Sequence, residues 1–507
     1  MKTHRKVLLG VTLSAAVFTS ATAAEPVLGK SQRYCNPLPM ISGGAASAAG
    51  DVTVIRESGK YYMYCTGGGA WISDNLLNWT FQHVTNVPVA PDVVKYNGSF
   101  YMCGNDGPLF KADNPLGPFT NIGNWKNTPD VAGGWNGPFD MHIFVDDGNK
   151  PYLYYPGRGV SGIYVVPLDP TDLTKFAGAP KHLFAFNSDH VWERYGDMNE
   201  YTDVAWVEGP WMLKRNGIYY LQYSASGTQW KTYANGYYTA KSPMGTFTYA
   251  PNNPLLRRTD GIVTGTAHGS IVEGPDKRLW QFYTIVLNNP PGGRRIGVDP
   301  VTFDKDGNMS VRITDTPQWA PGVVSDPVKD GDSGSIPVTI NKVRAMNAQS
   351  KFSSQQSGRD AAYAVDNSSG TWWEPTPDDA QPTLTIDLGP ATRFDVTQLF
   401  TIDSVRLLFT GGRRFGGPGG TPPATTGHQY KIEASIDGNA FTTVLDQSAN
   451  AIVRNTIFEE IPPTKCRFVR LTMLNWPRTT PLGIIEFTVF GRPAGSLPAA
   501  QPIPDPH

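Results

Sequence analysis

Cysteine is scarce in this chain, with four in 507 residues. Cys35, Cys65, Cys103 and Cys466 lie far apart and show none of the spacings of a metal site. Cys65 and Cys103 end equivalent strands of two neighbouring repeats, so a disulfide in an oxidising compartment and a pair of buried free thiols are both open readings. Net charge is also nearly absent. Forty-three basic residues face 44 acidic ones, a formal charge of −1. That balance offers no basic stripe for nucleic acid and no excess to hold a membrane surface. No stretch after residue 24 approaches the ~20 apolar residues of a membrane span. Nor does any segment carry the pattern of a long amphipathic helix. What remains is β-structure, in a chain long enough for two or three domains.

Residues 1–24 have the form of a secretory signal. Lys2, Arg5 and Lys6 are followed by a short apolar run to Val17, and Ala21-Thr22-Ala23 supplies the small residues of a cleavage site. The expected location is secreted or periplasmic.

Aromatic residues make up 11% of the chain, and they recur. Five times an acidic residue or a histidine is followed, after a turn, by an aromatic strand. The repeats start at Asp51, Asp92, Asp140, Glu208 and His268. Their answering strands hold Tyr61-Tyr62-Met63-Tyr64, Phe100-Tyr101-Met102, Tyr152-Leu153-Tyr154-Tyr155, Tyr219-Tyr220-Leu221 and Leu279-Trp280-Gln281-Phe282-Tyr283. Tight-turn chemistry such as Asn216-Gly217 joins the strands. Repeats of this length, each a small antiparallel sheet, predict a five-bladed β-propeller over 33–322. The insertion at 181–205 is expected to loop over one face. A polar linker at 323–337 leads to short alternating strands at 338–492, which predict a β-sandwich; the Gly- and Pro-rich stretch 411–427 is expected as a long loop within it, and 493–507 as a disordered tail.

If the residues that open each repeat share a register, they point at one axis and gather carboxylates in one pocket. Cleaving a glycoside needs one protonated carboxyl for the leaving oxygen and one ionised carboxylate to activate water or attack the sugar. Glu208, ahead of Gly209-Pro210-Trp211, is assigned as general acid, and Asp51 as general base. Asp140 is a third carboxylate whose charge raises the pKa of the acid. Asp92 shares the register, and Glu200 and Asp203 are rivals to Glu208. His268 closes the axial ring and is read as tuning a carboxylate or holding an ion or water. Trp71, Trp211 and Trp230 are candidate sugar platforms. Of Arg294 and Arg295, Arg295 is favoured as a binder of sugar hydroxyls. No organic cofactor is implied.

The segments Gly50-Asp51-Val52-Thr53-Val54, Phe139-Asp140-Met141-His142-Ile143-Phe144, Val207-Glu208-Gly209-Pro210 and Gly265-Thr266-Ala267-His268-Gly269 resemble the blade motifs of glycoside hydrolase family 43. The resemblance covers about 33–320. It implies a five-bladed propeller that inverts the anomeric centre, with Asp51 as base, Asp140 as pKa modulator and Glu208 as acid. One departure is Asp51-Val52, where many members have Asp-Pro. It further implies an α-L-arabinofuranosidase or β-xylosidase acting on plant-type polysaccharides, with a galactofuranosidase or galactan-active enzyme as the alternative. Residues 338–492 resemble the discoidin, or coagulation factor 5/8 type C, domain, a jelly roll often used as a carbohydrate-binding module. The matching residues are Ala361-Ala362 to Val365-Asp366, Thr371-Trp372-Trp373, Ile386-Asp387-Leu388-Gly389, Ser435-Ile436-Asp437-Gly438 and Arg467 to Leu471. That resemblance implies a structural calcium near Asp366, with Thr371 and Glu486 as further ligand candidates, although Asn367 stands where Gly is usual. The expected partner is an oligosaccharide or polysaccharide, met by a monomer. The rival from another class is a non-catalytic, lectin-like propeller.

Overall fold

The computed structural model describes residues 32–40, 49–130, 134–287, 293–340, 350–389, 398–410, 426–477 and 481–496. The signal at 1–24, nearly all of the loop expected at 411–427 and most of the tail at 493–507 lie outside these residues. Five consecutive antiparallel sheets come first. Blade one is Gly50–Glu57, Lys60–Thr66, Ala70–Ser73 and Thr80–Gln82, and blade two is Asp92–Tyr96, Ser99–Cys103, Leu109–Ala112 and Thr120–Gly123. Blade three runs His142–Asp146, Lys150–Pro156, Ile163–Asp169 and Asp172–Phe176, and gains Lys181–Phe184 as an extra strand, so the insertion begins inside the sheet rather than as a loop. Blade four is Glu208–Arg215, Ile218–Ala225, Ala234–Ala240 and Thr248–Tyr249, and blade five is Ala267–Glu273, Leu279–Val286, Arg294–Phe303 and Met309–Val311.

The aromatic strands are the second strand of each blade, and their bulk is the packing between blades. Tyr154, Tyr223, Trp280 and Phe282 are fully or almost fully buried. The Asn216-Gly217 turn has φ of 51° and 74°, the paired positive values that a two-residue hairpin needs. The first strands stand side by side around the axis, and those of blades five and one meet. There the Val54 amide donates to Ser270 Oγ at 2.9 Å, which helps close the ring. Between the second strands of blades four and five, Gln222 Nε2 donates to Gln281 Oε1 at 2.8 Å.

A two-layer sandwich follows. One sheet orders Ile336–Pro337, Ile484–Pro493, Phe400–Phe409 and Thr456–Cys466; the other orders Lys351–Phe352, Thr383–Asp387, Phe468–Asn475, Gln429–Ser435 and Thr442–Asp446. Inward-facing Ile402, Val405, Leu407, Ile432, Leu471, Phe487 and Val489 fill the space between them. The expected linker is therefore too long by its last two residues, since Ile336 and Pro337 pair with Gly491 and Phe490. The two units share a buried polar seam. Arg33 reaches Asp403 at 3.0 Å and Glu460 at 2.7 Å, and Arg406 donates to the carbonyls of Asn36 and Asp315 at 2.8 Å each. All four cysteines are free and buried, so the thiol reading of Cys65 and Cys103 is the one observed.

Candidate active site

Three of the first strands open on a β-bulge. In blade one the ladder jumps from Gly50–Thr66 to Thr53–Tyr64, in blade four from Glu208–Ser224 to Trp211–Gln222, and in blade five from Ala267–Thr284 to Gly269–Tyr283. An extra residue twists a strand locally and re-aims a side chain. In these three blades it re-aims Asp51, Glu208 and His268, while Asp140 stands just ahead of a regularly paired strand. The backbone cost is visible: Asp51, Asp140 and His268 have φ of 53°, 41° and 38°, a region that L-residues seldom occupy. In blade four the positive φ of 56° falls on Gly209. Only glycine suits that position twice over, because a Cβ there would lie 2.8 Å from the His268 ring.

Asp51, Asp140 and Glu208 line one cavity of about 550 Å³ together with Val89, Asn105, Phe139, Tyr195, Trp206, Thr228, Gln229 and Arg294. His268 joins two of the acids, its Nδ1 lying 3.3 Å from Asp51 and 3.7 Å from Asp140. Asp51 is held most tightly. Arg294 Nη1 lies 2.7 Å from both of its oxygens, Thr66 Oγ1 donates at 2.6 Å, and its own amide donates to Thr284 Oγ1 at 2.7 Å. Gly50 makes room for the guanidinium, since a Cβ there would sit 2.7 Å from it. Tyr233 donates to Glu208 at 2.8 Å, and the Asp140 amide donates to Asn105 at 2.6 Å.

The same geometry drives the protonation states apart. Burial pushes the Asp51 carboxyl up, but Arg294 and His268 overcome it and hold Asp51 well below the usual carboxylate range. Burial, and then the Asp140 charge, raise Glu208 to about 8. Burial also raises Asp140, offset in part by His268. Burial works to lower His268, yet Asp140 and Asp51 raise it to about 9, so it is a cation at neutral pH. One ionised and one protonated carboxyl facing a single cavity is the division of labour that acid–base cleavage of a glycosidic bond uses.

The family model for Glycosyl hydrolases family 43 matches residues 45–309, just over half of the chain. The chain belongs to glycosyl hydrolase family 43. Its relatives include the beta-D-galactofuranosidase xynD of Aspergillus niger, 28% identical over 48% of this chain and 74% of that one. A xylan 1,3-beta-xylosidase of Vibrio sp is 27% identical over 44% of this chain and 45% of that one, and the xylosidase/arabinosidase 43B of Humicola insolens is 27% identical over 48% and 47%. Of these last two proteins the chain spans a little under half the length. Among solved structures, a thermostable family-43 glycoside hydrolase is 29% identical over 57% of this chain and 99% of that one, with a TM-score of 0.47.

Five residues expected at the sugar lie elsewhere in this family 43 enzyme. The first ladder of blade two has no bulge: Asp92 pairs regularly with Cys103, and its carboxylate is turned to neighbouring strands instead of the cavity. There it accepts from Thr53 Oγ1 at 3.3 Å and the Ile143 amide at 2.9 Å, and lies 3.1 Å from His142 Nδ1. Trp71 is buried in the blade-one core with its ring edge on Phe81. Trp211, just past the blade-four bulge, packs against His142 and the apolar cluster shared with blade five. Trp230 stands edge-on to Tyr195 at 5.5 Å, buttressing a cavity residue without lining the cavity. Arg295 points the other way, into the sandwich, because side chains alternate along a strand and its neighbour Arg294 takes the inward position. Glu200 and Asp203 are exposed on the insertion. Sequence reasoning missed Asn105, Phe139, Trp206, Thr228 and Gln229. For two of them a signal existed: Phe139 directly precedes Asp140 and Trp206 stands two residues before Glu208, so each aromatic enters with its acid.

Proposed function

We propose that Asp51 is the general base and Glu208 the general acid of an inverting reaction that releases arabinofuranosyl or xylosyl units from plant-type polysaccharides. The observation that carries this reading is the opposed protonation of the two acids in one cavity. Asp51, ionised and clamped by Arg294, takes a proton from water as that water attacks the anomeric carbon. Glu208, protonated and oriented by the Tyr233 hydroxyl, gives its proton to the departing oxygen on the other face of the ring. Asp140 acts through its charge, keeping Glu208 protonated near neutral pH. Phe139 and Trp206, 5.9 Å apart and tilted by 52°, offer apolar walls to the C–H faces of a sugar. The sugar is inferred from the xylosidase and arabinosidase names of the relatives; a galactofuranosyl unit is the second reading, favoured by the name of the Aspergillus niger protein. A lectin-like propeller is disfavoured, because sugar binding alone does not need an ionised and a protonated carboxyl held face to face.

The reading extends to the rest of the chain. The segment 1–24 exports a monomeric enzyme, and the sandwich is a discoidin-like carbohydrate-binding unit. Asp366, Thr371 and Glu486 meet at one loop, where Thr371 Oγ1 and the Ser368 amide donate to Asp366 and the Asn367 amide donates to Glu486. Oxygen donors of this kind suit a hard cation such as calcium, although no group of three His, Cys, Asp or Glu stands ready for a metal among the described residues. The test of the main reading is turnover of nitrophenyl arabinofuranoside, xyloside and galactofuranoside, with the first-formed anomer read by NMR. Inverted product from one of them supports the reading, and retained product from all of them refutes it.

A further inference from the structure

Arg294 and Arg295 are adjacent, both nine-tenths buried or more, and they serve different halves of the molecule. Together they open the third strand of blade five, Arg294–Phe303. Arg294 clamps Asp51. Arg295 leaves the propeller: Nε donates to Thr456 Oγ1 at 3.1 Å and Nη2 to the Phe409 carbonyl at 3.3 Å. Thr456 begins one strand of the sandwich and Phe409 ends its neighbour, so the guanidinium plugs the end of that sheet. Nη1 turns back to the carbonyl of Arg294 at 3.0 Å. One side chain thus ties the backbone of the clamp residue to the second domain.

The start of this strand needs such a tie. On one side it is paired with Leu279–Val286, Arg295 opposite Ile285 and Arg294 opposite Val286. On the other side the blade's fourth strand reaches it only from Val301 onward, and before that the Leu38 amide on the Ile296 carbonyl covers the edge. Among the described residues, Arg294 and Arg295 lie beyond that last backbone contact on this edge. The seam around them is packed, with Leu408 and Ile485 of the sandwich joining the apolar cluster of blades four and five. Docking alone is well served by apolar side chains, and a buried guanidinium carries a desolvation cost that an apolar residue avoids. Burial lowers Arg295 to about 10, which records that cost.

We propose that Arg295 is a positioning residue: through it the sandwich sets the strand that lays Arg294 on Asp51, so the second domain takes part in holding the base ionised. The inference rests on the reading of Asp51 as base. It assigns the sandwich a role in catalysis that needs no sugar bound to it.

The test is Arg295→Met in the full chain, with Arg295→Lys as the conservative variant and Thr456→Val as a milder cut of the same tie. With the tie lost, the Arg294–Asp51 pair loosens and the pKa of Asp51 rises. The base works only when deprotonated, so the acid limb of kcat moves to higher pH. The expected result is a limb shifted upward in Arg295→Met, kcat at its optimum down about tenfold, KM little changed, and partial recovery in Arg295→Lys. Thr456→Val shifts the limb less but in the same direction, and decides the matter if Arg295→Met does not fold. Folded variants with a lower melting temperature and the wild-type pH profile overturn the proposal. Asp51→Asn separates the two ideas: full turnover in that variant removes the base assignment itself, whatever the Arg295 variants do.

Discussion

Blades two and four begin alike in sequence and end differently in space. Each opens on an acid, each answers with an aromatic strand, and each turns through an Asn-Gly pair. Blade four breaks its ladder after Glu208, with Gly209 and Pro210 set against a single partner residue, and Glu208 reaches the cavity. Blade two keeps its first ladder intact, and Asp92 stays off the cavity, bound to His142 and Thr53. The acid's place in the repeat is not enough to make it face substrate. Between these two blades the bulge makes the difference, whereas Asp140 of blade three reaches the cavity from just ahead of a regularly paired strand; the repeat pattern displays neither backbone feature.

The comparison breaks most visibly in turnover. Glu208→Gln and Asp51→Asn are expected to lower kcat on aryl glycosides on the order of 10²- to 10⁴-fold, the span of a general acid or base. Glu208→Gln suffers least on substrates whose leaving group needs no proton. Asp92→Asn, although it removes a buried acid of the same register, lowers the melting temperature and leaves kcat within about tenfold of wild type. Equal losses from Asp92→Asn and Glu208→Gln, in steady-state kinetics on folded protein, erase the distinction between the two blades.

The second effect is on stability and isolates the bulge. Gly209→Ala places a Cβ against the His268 ring in a left-handed backbone. The conformational part alone is worth roughly 1–2 kcal/mol. Gly217→Ala in the hairpin turn of the same blade, at φ of 74° and with nothing within 4 Å of the new Cβ, carries that part without the clash. Denaturant melts of the two variants therefore bracket the contact: Gly209→Ala is the less stable, and only it loses activity. If Gly217→Ala matches it in both, the close approach of blade four to His268 does not matter.

Much of this architecture is legible in the sequence for physical reasons. The blades show because an antiparallel sheet between two neighbours must bury bulky side chains on both faces, and the Tyr- and Trp-rich strands do that. The three acids show because each stands 10 to 12 residues ahead of its aromatic strand. The sandwich strands at 384–388, 430–434, 468–471 and 487–490 show through their alternation. What stays hidden depends on contacts remote in the chain. Alternation says that Arg294 and Arg295 face opposite ways, but not which one turns inward; Asp51, 243 residues away, settles that. Trp71 is indistinguishable in sequence from a sugar platform, and only Phe81 and the blade-one core show it to be packing. Asn105 and Gln229 come from loops without any periodic signal.

The smallest effect, a shift along the pH axis, tests the comparison at the level of charge. Asp140 and Asp92 are both buried acids near the axis, but only Asp140 sits where its charge reaches Glu208. Glu208 acts while protonated, so activity falls as pH rises through its pKa, held near 8 first by burial and then by Asp140. Asp140→Asn removes the charge and leaves the burial. The pKa of Glu208 then drops, and the alkaline limb of kcat/KM moves to lower pH. Asp92→Asn leaves that limb where it was, because its carboxylate faces Thr53, His142 and the Ile143 amide instead. His268 complicates the sign in one respect: with Asp140 gone, it loses the largest support for its own cation, and a neutral imidazole no longer stabilises ionised Glu208. That opposes the shift, so the limb moves by less than the loss of Asp140 alone implies. A limb that moves upward, or one that moves equally in both variants, means that the charge on Asp140 is not what keeps Glu208 protonated.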